Sequence, residues 1–225
     1  MAIDIVQYLK ERHAENTDAK KTGLPFVTIS RETGCHSKVI AQLLQKEIQR
    51  LSGQKWRIVS KETIFDAVKE LKINPQQLNH VLDAQEKSHL EEIMMAFGDG
   101  RYKSYKAVRK TLMEIIKGFA SEGHNIIIGR AGALITAGLR SGTHIRLTAS
   151  IEWRIQSIST QQGIGFGDAA LFVEHTDEKR RKLFRDFNGK DPDNALFDLI
   201  INNERIPDTD AVQLIIKLME QRNYL

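Results

Sequence analysis

The sequence predicts an α/β fold of three layers, a mostly parallel sheet of about five strands with helices on both faces. Three observations predict it. Short β-branched runs alternate along the chain with helical apolar stripes, the order expected of a parallel sheet with crossover helices. Ile126-Ile127-Ile128 is apolar at every position, as suits a central strand covered on both faces. Polar clusters follow the strands at Ser30-Arg31-Glu32, Ser60-Lys61-Glu62, Gly129-Arg130 and Asn202-Asn203, the ends at which such sheets bind ligands.

The elements follow in order. Residues 3–14 predict a short amphipathic helix and 16–22 a polar linker, so 1–24 stand apart from one domain at 25–225. Strand one is expected at 25–30. The helix after it carries Ile40, Leu43, Leu44 and Ile48 on one stripe and ends before Ser52-Gly53. Trp56 to Val59 reads as strand two, and Ser60 as the cap of a helix holding Ile64, Phe65, Val68 and Leu71. Residues 60–122 form a helical insertion, its last part running from Tyr105 to Ala120 with Val108, Leu112, Ile115, Ile116 and Phe119 inward. Strands are expected at His124–Ile128, His144–Leu147 and Leu196–Ile201. Helices are expected at Ala149–Ser159, at 165–188, and after Pro207 with Val212, Ile215, Ile216 and Met219 on one face. Glycines 163, 165 and 167 flank the charged helix and predict a lid at 160–190.

The chain of 225 residues suffices for one α/β domain with a sizeable core. Its 41% hydrophobic and 28% charged residues are ordinary for a soluble globular protein. No apolar run reaches membrane-spanning length, and Met1-Ala2-Ile3-Asp4 lacks the basic and apolar regions of a signal peptide. A single cysteine excludes an internal disulfide and fits a cytoplasmic protein. The net charge of +4 suits a phosphate-bearing small ligand and would also suit weak nucleic-acid contact.

Val27 to Ala41 lays out strand, polar loop and helix, which points backbone N–H groups and a helix N-terminus at an anion. Against the pattern G-x-x-x-x-G-K-[ST], Arg31 and His36 stand at the glycine places, Ser37 at the lysine, and Lys38 one place late. Lys38 is either the loop cation or an exposed first-turn lysine. Arg130, directly after a buried strand and Gly129, is placed to grip a phosphate or a base, or to bond neighbouring carbonyls. Cys35 and His36 have no further ligand cluster and make no zinc site. The stretch Arg101 to Lys106 with Arg109-Lys110 interleaves aromatics with charge and frames either an acidic small substrate or a nucleic acid.

Four of these motifs, in order, resemble the cytidylate kinase-like branch of the P-loop nucleoside-monophosphate kinases. Ile29-Ser30-Arg31-Glu32-Thr33-Gly34 is similar to the family's I-S-R-E-[YF]-G, and Ile127-Ile128-Gly129-Arg130 to its [IV]-[IV]-G-R. Asp177, Arg180, Phe184, Arg185, Phe187 and Gly189 fall on D-x-x-R-x-x-x-Y-R-x-Y-x-G, and Phe197 to Asn202 on Y-D-L-x-I-N. The loop departs from the family's G-S-G-G-[RK] at Cys35, His36 and Ser37, and Ser60 stands where an aspartate is usual.

The resemblance implies a phosphotransferase taking ATP, Mg²⁺ and a nucleoside monophosphate to ADP and the diphosphate, with cytidylate the acceptor by family analogy. It implies Lys38, Arg180 and Arg185 as catalytic residues. Arg31, Gly34, Cys35, His36, Ser37, Lys38 and Val39 would lie around the donor phosphates; Glu32, Ser60, Arg130 and Arg154 would serve the acceptor. Val39 occupies the usual Ser/Thr place of the Mg²⁺ ligand, which leaves Ser37 or Glu32 for that role. A second reading is a kinase-fold protein that binds nucleotide or a partner without turnover; a third, less favoured, is a nucleic-acid binder.

Overall fold

The computed structural model describes residues 23–64 and 105–225. The expected helix at 3–14, the linker, most of the 60–122 insertion and the stretch Arg101 to Ser104 lie outside the described residues. Five strands form one fully parallel sheet in the order β2-β3-β1-β4-β5, with β1 Phe26–Arg31, β2 Arg57–Val59, β3 Asn125–Ile128, β4 Gly142–Thr148 and β5 Leu199–Asn202. The helices are α1 Ser37–Ser52, α2 Tyr105–Glu122, α3 Gly132–Thr136, α4 Ile151–Gln162, α5 Phe166–Asn188 and α6 Asp208–Gln221.

Strand alternation divides the core into two faces. Val27, Ile29, Ile126, Ile128, Ile145 and Leu147 point to one side, against Ile40, Leu44 and Ile48 of α1 and Val212, Ile215, Ile216 and Met219 of α6. Phe26 and Ile127 point to the other, against Leu112, Ile115 and Ile116 of α2 and Ile135 of α3. The three-layer expectation therefore stands, and the continuous Ile run of β3 has the predicted cause: both of its faces are covered.

Element ends moved by a few residues for local reasons. His124 lies outside β3 because it adopts φ 50°, a left-handed turn ahead of the strand. β5 starts at Leu199 rather than Leu196 because Asp193 accepts a hydrogen bond from the Ala195 N–H at 3.0 Å, winding Asn194–Leu196 into a 3-10 turn. β4 is longer than expected, running from Gly142 to Thr148. α1 ends as its sequence predicts: Gly53 takes φ 70° and donates its N–H to the Gln49 carbonyl at 3.0 Å. Ser60 lies at a helix start, its carbonyl accepting from the Ile64 N–H, while its hydroxyl donates to Glu62 at 2.5 Å.

α4 and α5 form a hairpin beyond the C-terminal end of the sheet. Gly163 caps α4 with φ 65°, and Ile158, Ala169 and Val173 make a small core between the two helices. Further along α5, Phe184 and Phe187 pack against the α2 side of the main core. No helix among the described residues is long and apolar enough to cross a membrane.

Candidate functional site

The parallel topology brings the ends of β1, β3 and β4 to one edge, and α5 crosses above them. Between them lies a cleft of about 240 Å³, whose wall includes Arg31, Arg130, Arg146, Arg154, Arg180 and Arg181, with the carboxylates Glu32, Asp177 and Asp191 and the apolar Ala131, Leu183, Phe184, Pro192 and Phe197. Six guanidiniums against three carboxylates give its wall an excess of positive charge.

Arg31 and Arg130 are aimed by unusual backbone. Gly129, Arg130 and Ala131 take φ of 70°, 56° and 53°, three left-handed residues in succession, closed by the Gly132 N–H on the Gly129 carbonyl at 2.8 Å. Left-handed backbone costs about 1–2 kcal/mol at a residue with a Cβ, and such strain collects at functional sites. Gly129 is required for a second reason: a Cβ there would overlap Arg31 Nη1. Burial, then the neighbouring guanidiniums of Arg180 and Arg130, lower the Arg31 pKa to about 9. Positive charge is therefore crowded at this point, the condition an oxyanion relieves.

Glu32 is held at the same edge by bonds to β4 and the start of α4. Its Oε2 accepts from the Thr148 hydroxyl at 2.7 Å and the Ala149 N–H at 3.2 Å, with Arg154 Nε at 3.6 Å. Arg146, half-buried at the end of β4, lies 3.9 Å from Glu32 and stacks over Phe197 at 5.5 Å. The buried Arg154 donates to Asp177 Oδ2 at 2.6 Å, to the Thr33 carbonyl at 3.3 Å and to the Ala149 carbonyl at 3.3 Å. Arg180 donates to the Arg31 carbonyl at 3.2 Å; burial is the main cause lowering its pKa.

The loop after β1 stands beside this cleft. Gly34 has φ 97°, and an added Cβ would come within 2.6 Å of the Arg154 carbonyl oxygen, so only glycine lets the loop lie against α4. Four of its amides are taken up within the protein. Thr33 N–H donates to Asp177, Cys35 N–H to the Glu32 carbonyl, His36 N–H to Asn203 Oδ1 at 2.8 Å and Ser37 N–H to the Cys35 carbonyl. The His36 ring is held on each side: Nδ1 is 3.0 Å from Asp208 Oδ2, Nε2 is 3.4 Å from Ser157 Oγ, and the ring lies 5.1 Å from that of Trp153. Burial, then Glu32, raises the Cys35 thiol to about 12, so it is protonated at neutral pH despite standing near a helix start.

Of the residues singled out in the sequence, the structure brings Arg31, Glu32, Arg130, Arg154 and Arg180 into one cleft. Ser37 is buried at the start of α1, and Lys38 and Val39 are exposed on its first turn. Gly34, Cys35, His36, Lys38 and Ser60 do not line the cleft. Arg185 is turned outward, bonded to Glu178 and, at 3.2 Å, to Asp191. Among the described residues no three His, Cys, Asp or Glu side chains cluster to hold a metal ion, and the bonds of Glu32 to Thr148, Ala149 and Arg154 leave no preformed Mg²⁺ cage.

Sequence reasoning missed Arg146 and Asp208, and placed Asn203 in the polar cluster after the last strand without its bond to His36. Arg146 left a signal, a lone charge in an otherwise apolar strand end. The other two act across 167 and 172 residues on His36, a separation no local spacing reveals.

Comparison with known proteins agrees with this architecture. The sequence matches the profile of the cytidylate kinase-like family over residues 26–205. An uncharacterised protein from Eubacterium ventriosum is similar in structure with a TM-score of 0.62 at 17% identity, over 89% of this chain and 99% of that one. A shikimate kinase from Bacteroides thetaiotaomicron has a TM-score of 0.44 at 12% identity, over 87% and 98% of the two chains. A shikimate kinase from Acinetobacter baumannii in complex with shikimate has 0.44 at 13%, over 89% and 96%. No curated protein matches the sequence significantly.

Proposed function

Because the chain belongs to the cytidylate kinase-like family, we propose that it is a phosphotransferase of the nucleoside-monophosphate kinase type. It would move the terminal phosphoryl group of ATP to a nucleoside monophosphate, cytidylate by family analogy, giving ADP and the diphosphate. The observation that carries this reading is the crowding of Arg130, at the end of β3, and Arg180, on α5, around Arg31, whose charge both oppose.

Phosphoryl transfer asks for alignment and positive charge rather than covalent chemistry from the protein. Arg31 and Arg130 would hold the acceptor phosphate, and Arg154 would fix the loop beside it. Phe184, Phe197 and Ala131 offer the apolar wall. Lys38, exposed on the first turn of α1, would reach the donor phosphates, and the 160–190 segment would close as a lid with Arg180 meeting the transferring group. Arg185 would join it on releasing Glu178. Magnesium would arrive with ATP, lowering the charge on its phosphates.

One observation favours the second reading, binding without turnover: the loop amides of Thr33, Cys35, His36 and Ser37 already have protein acceptors. A coupled assay of ADP release from Mg-ATP, run with CMP, dCMP, UMP, AMP and GMP, separates the two. Turnover above the ATP-only rate with at least one acceptor is expected, and Arg130→Ala should abolish most of it while leaving the melting temperature near wild type. Saturable nucleotide binding with no ADP release would establish the second reading instead.

A further inference from the structure

We propose that Thr33, Arg154 and Arg180 form a built oxyanion site in which Asp177 stands in for a ligand's phosphate, so that a phosphate-bearing ligand enters by displacing this carboxylate. Asp177 Oδ1 accepts from the Thr33 N–H at 2.8 Å and the Thr33 hydroxyl at 2.6 Å. Its Oδ2 accepts from Arg154 Nη1 at 2.6 Å, and Arg180 Nη1 lies 3.6 Å from Oδ1. A backbone amide, a hydroxyl and two guanidiniums converging on one pair of oxygens is the donor set that recognises a phosphoryl group.

The donors come from the loop, from α4 and from α5, with Thr33 and Asp177 separated by 144 residues. They are also well buried. Thr33 is 3% exposed and Arg154 8%, so the site cannot stand empty without stranding a charge and an amide. An exchange of one oxyanion for another keeps every donor satisfied. Asp177 can leave by turning its own side chain, while α5 stays seated at Val173 and Phe184 and Arg180 holds it to the Arg31 carbonyl. The site opens onto the crowded guanidinium of Arg31, where the remaining charge of a phosphate would be welcome.

The inference rests on the reading of the cleft as a phosphate site, and inorganic pyrophosphate tests it apart from any kinase activity. Calorimetric titration at fixed ionic strength should give Asp177→Asn roughly tenfold tighter pyrophosphate binding than wild type, because a site filled internally most of the time loses affinity in that proportion. Asp191→Asn removes another carboxylate of the same cleft that occupies none of these donors, and should change affinity by about threefold or less. Equal effects of the two variants, or weaker binding to Asp177→Asn, overturn the proposal, as does the absence of binding to both wild type and variant. Should Asp177→Asn fail to fold, amide NMR of the wild type decides: the Thr33 N–H and Arg154 Nε–H resonances must shift together as pyrophosphate is added. A Thr33 resonance that stays still while pyrophosphate binds elsewhere overturns it. Tighter binding to Asp177→Asn with no turnover of any monophosphate would remove the kinase reading and leave this one standing.

Discussion

Arg31 and Gly129 depend on each other: the guanidinium lies where a Cβ at position 129 would be, and the left-handed turn is what leaves that space. Gly129→Ala should therefore displace Arg31, destabilise the fold by about 1–2 kcal/mol and weaken monophosphate binding on the order of tenfold, the loss of one charge-assisted contact. Chemical denaturation and calorimetry measure the two effects separately, and unchanged affinity in the folded variant would show that Arg31 does not hold the ligand. Cys35 gives a second residue-scale expectation. Its thiol is raised to about 12, by burial first and by Glu32 second, so the folded protein holds the proton where an unfolded thiol of pKa about 8.5 begins to lose it. Alkylation by iodoacetamide at pH 8 should be much slower in the native than in the urea-unfolded chain. The stability this site contributes is complete below pH 8.5 and declines as pH rises toward 12. Much of this scale was legible in advance. Arg31, Glu32 and Arg130 follow directly from strand ends in a parallel sheet. The partners of His36 were not, since Asn203 and Asp208 reach it only through the folded chain.

At the scale of elements, α6 and the sheet are joined by a clasp that the sequence does not announce. Just past α6, Arg222 donates to both oxygens of Asp198, at 2.6 and 3.2 Å, and Asp198 also accepts from the His144 N–H at 2.7 Å. Burial opposes ionisation of Asp198, but these hydrogen bonds outweigh it and hold its pKa below the usual carboxylate value. A depressed folded pKa contributes stability that is present above the unfolded value of about 3.9 and is lost as pH falls through the folded one. Asp198→Asn should cost about 1–2 kcal/mol at pH 7, discounted for the clasp's partial exposure. The difference from wild type should shrink in denaturation series carried down to pH 3; a gap that stays constant with pH would place the clasp's contribution in packing rather than charge. Element boundaries were legible where capping chemistry is local, as at Gly53; the helix expected at Ala149–Ser159 runs instead from Ile151 to Gln162, because the Ser150 side chain caps it by accepting from the Trp153 N–H. They moved where a turn competed, as Asp193 did with the start of β5.

At the scale of the whole molecule, alternating strands and helices were enough to foresee a parallel sheet and the edge at which a ligand would sit. The order β2-β3-β1-β4-β5 then explains why residues as distant as Arg31, Arg130, Arg154 and Arg180 share one cleft: β3 and β4 flank β1, and each chain end feeds the same edge. What alternation could not show is that the loop beside that cleft is closed by the protein's own carboxylate and amide groups, because those contacts form only once α5 and α6 are packed. In the proposed function this cleft receives the phosphate of a nucleoside monophosphate. The most direct test is calorimetric titration of cytidine monophosphate and of cytidine into the wild type and into Arg31→Gln. The wild type should bind the monophosphate and not the nucleoside, and Arg31→Gln, still folded, should lose on the order of tenfold or more in affinity. Equal binding of monophosphate and nucleoside, or undiminished binding by Arg31→Gln, would contradict it.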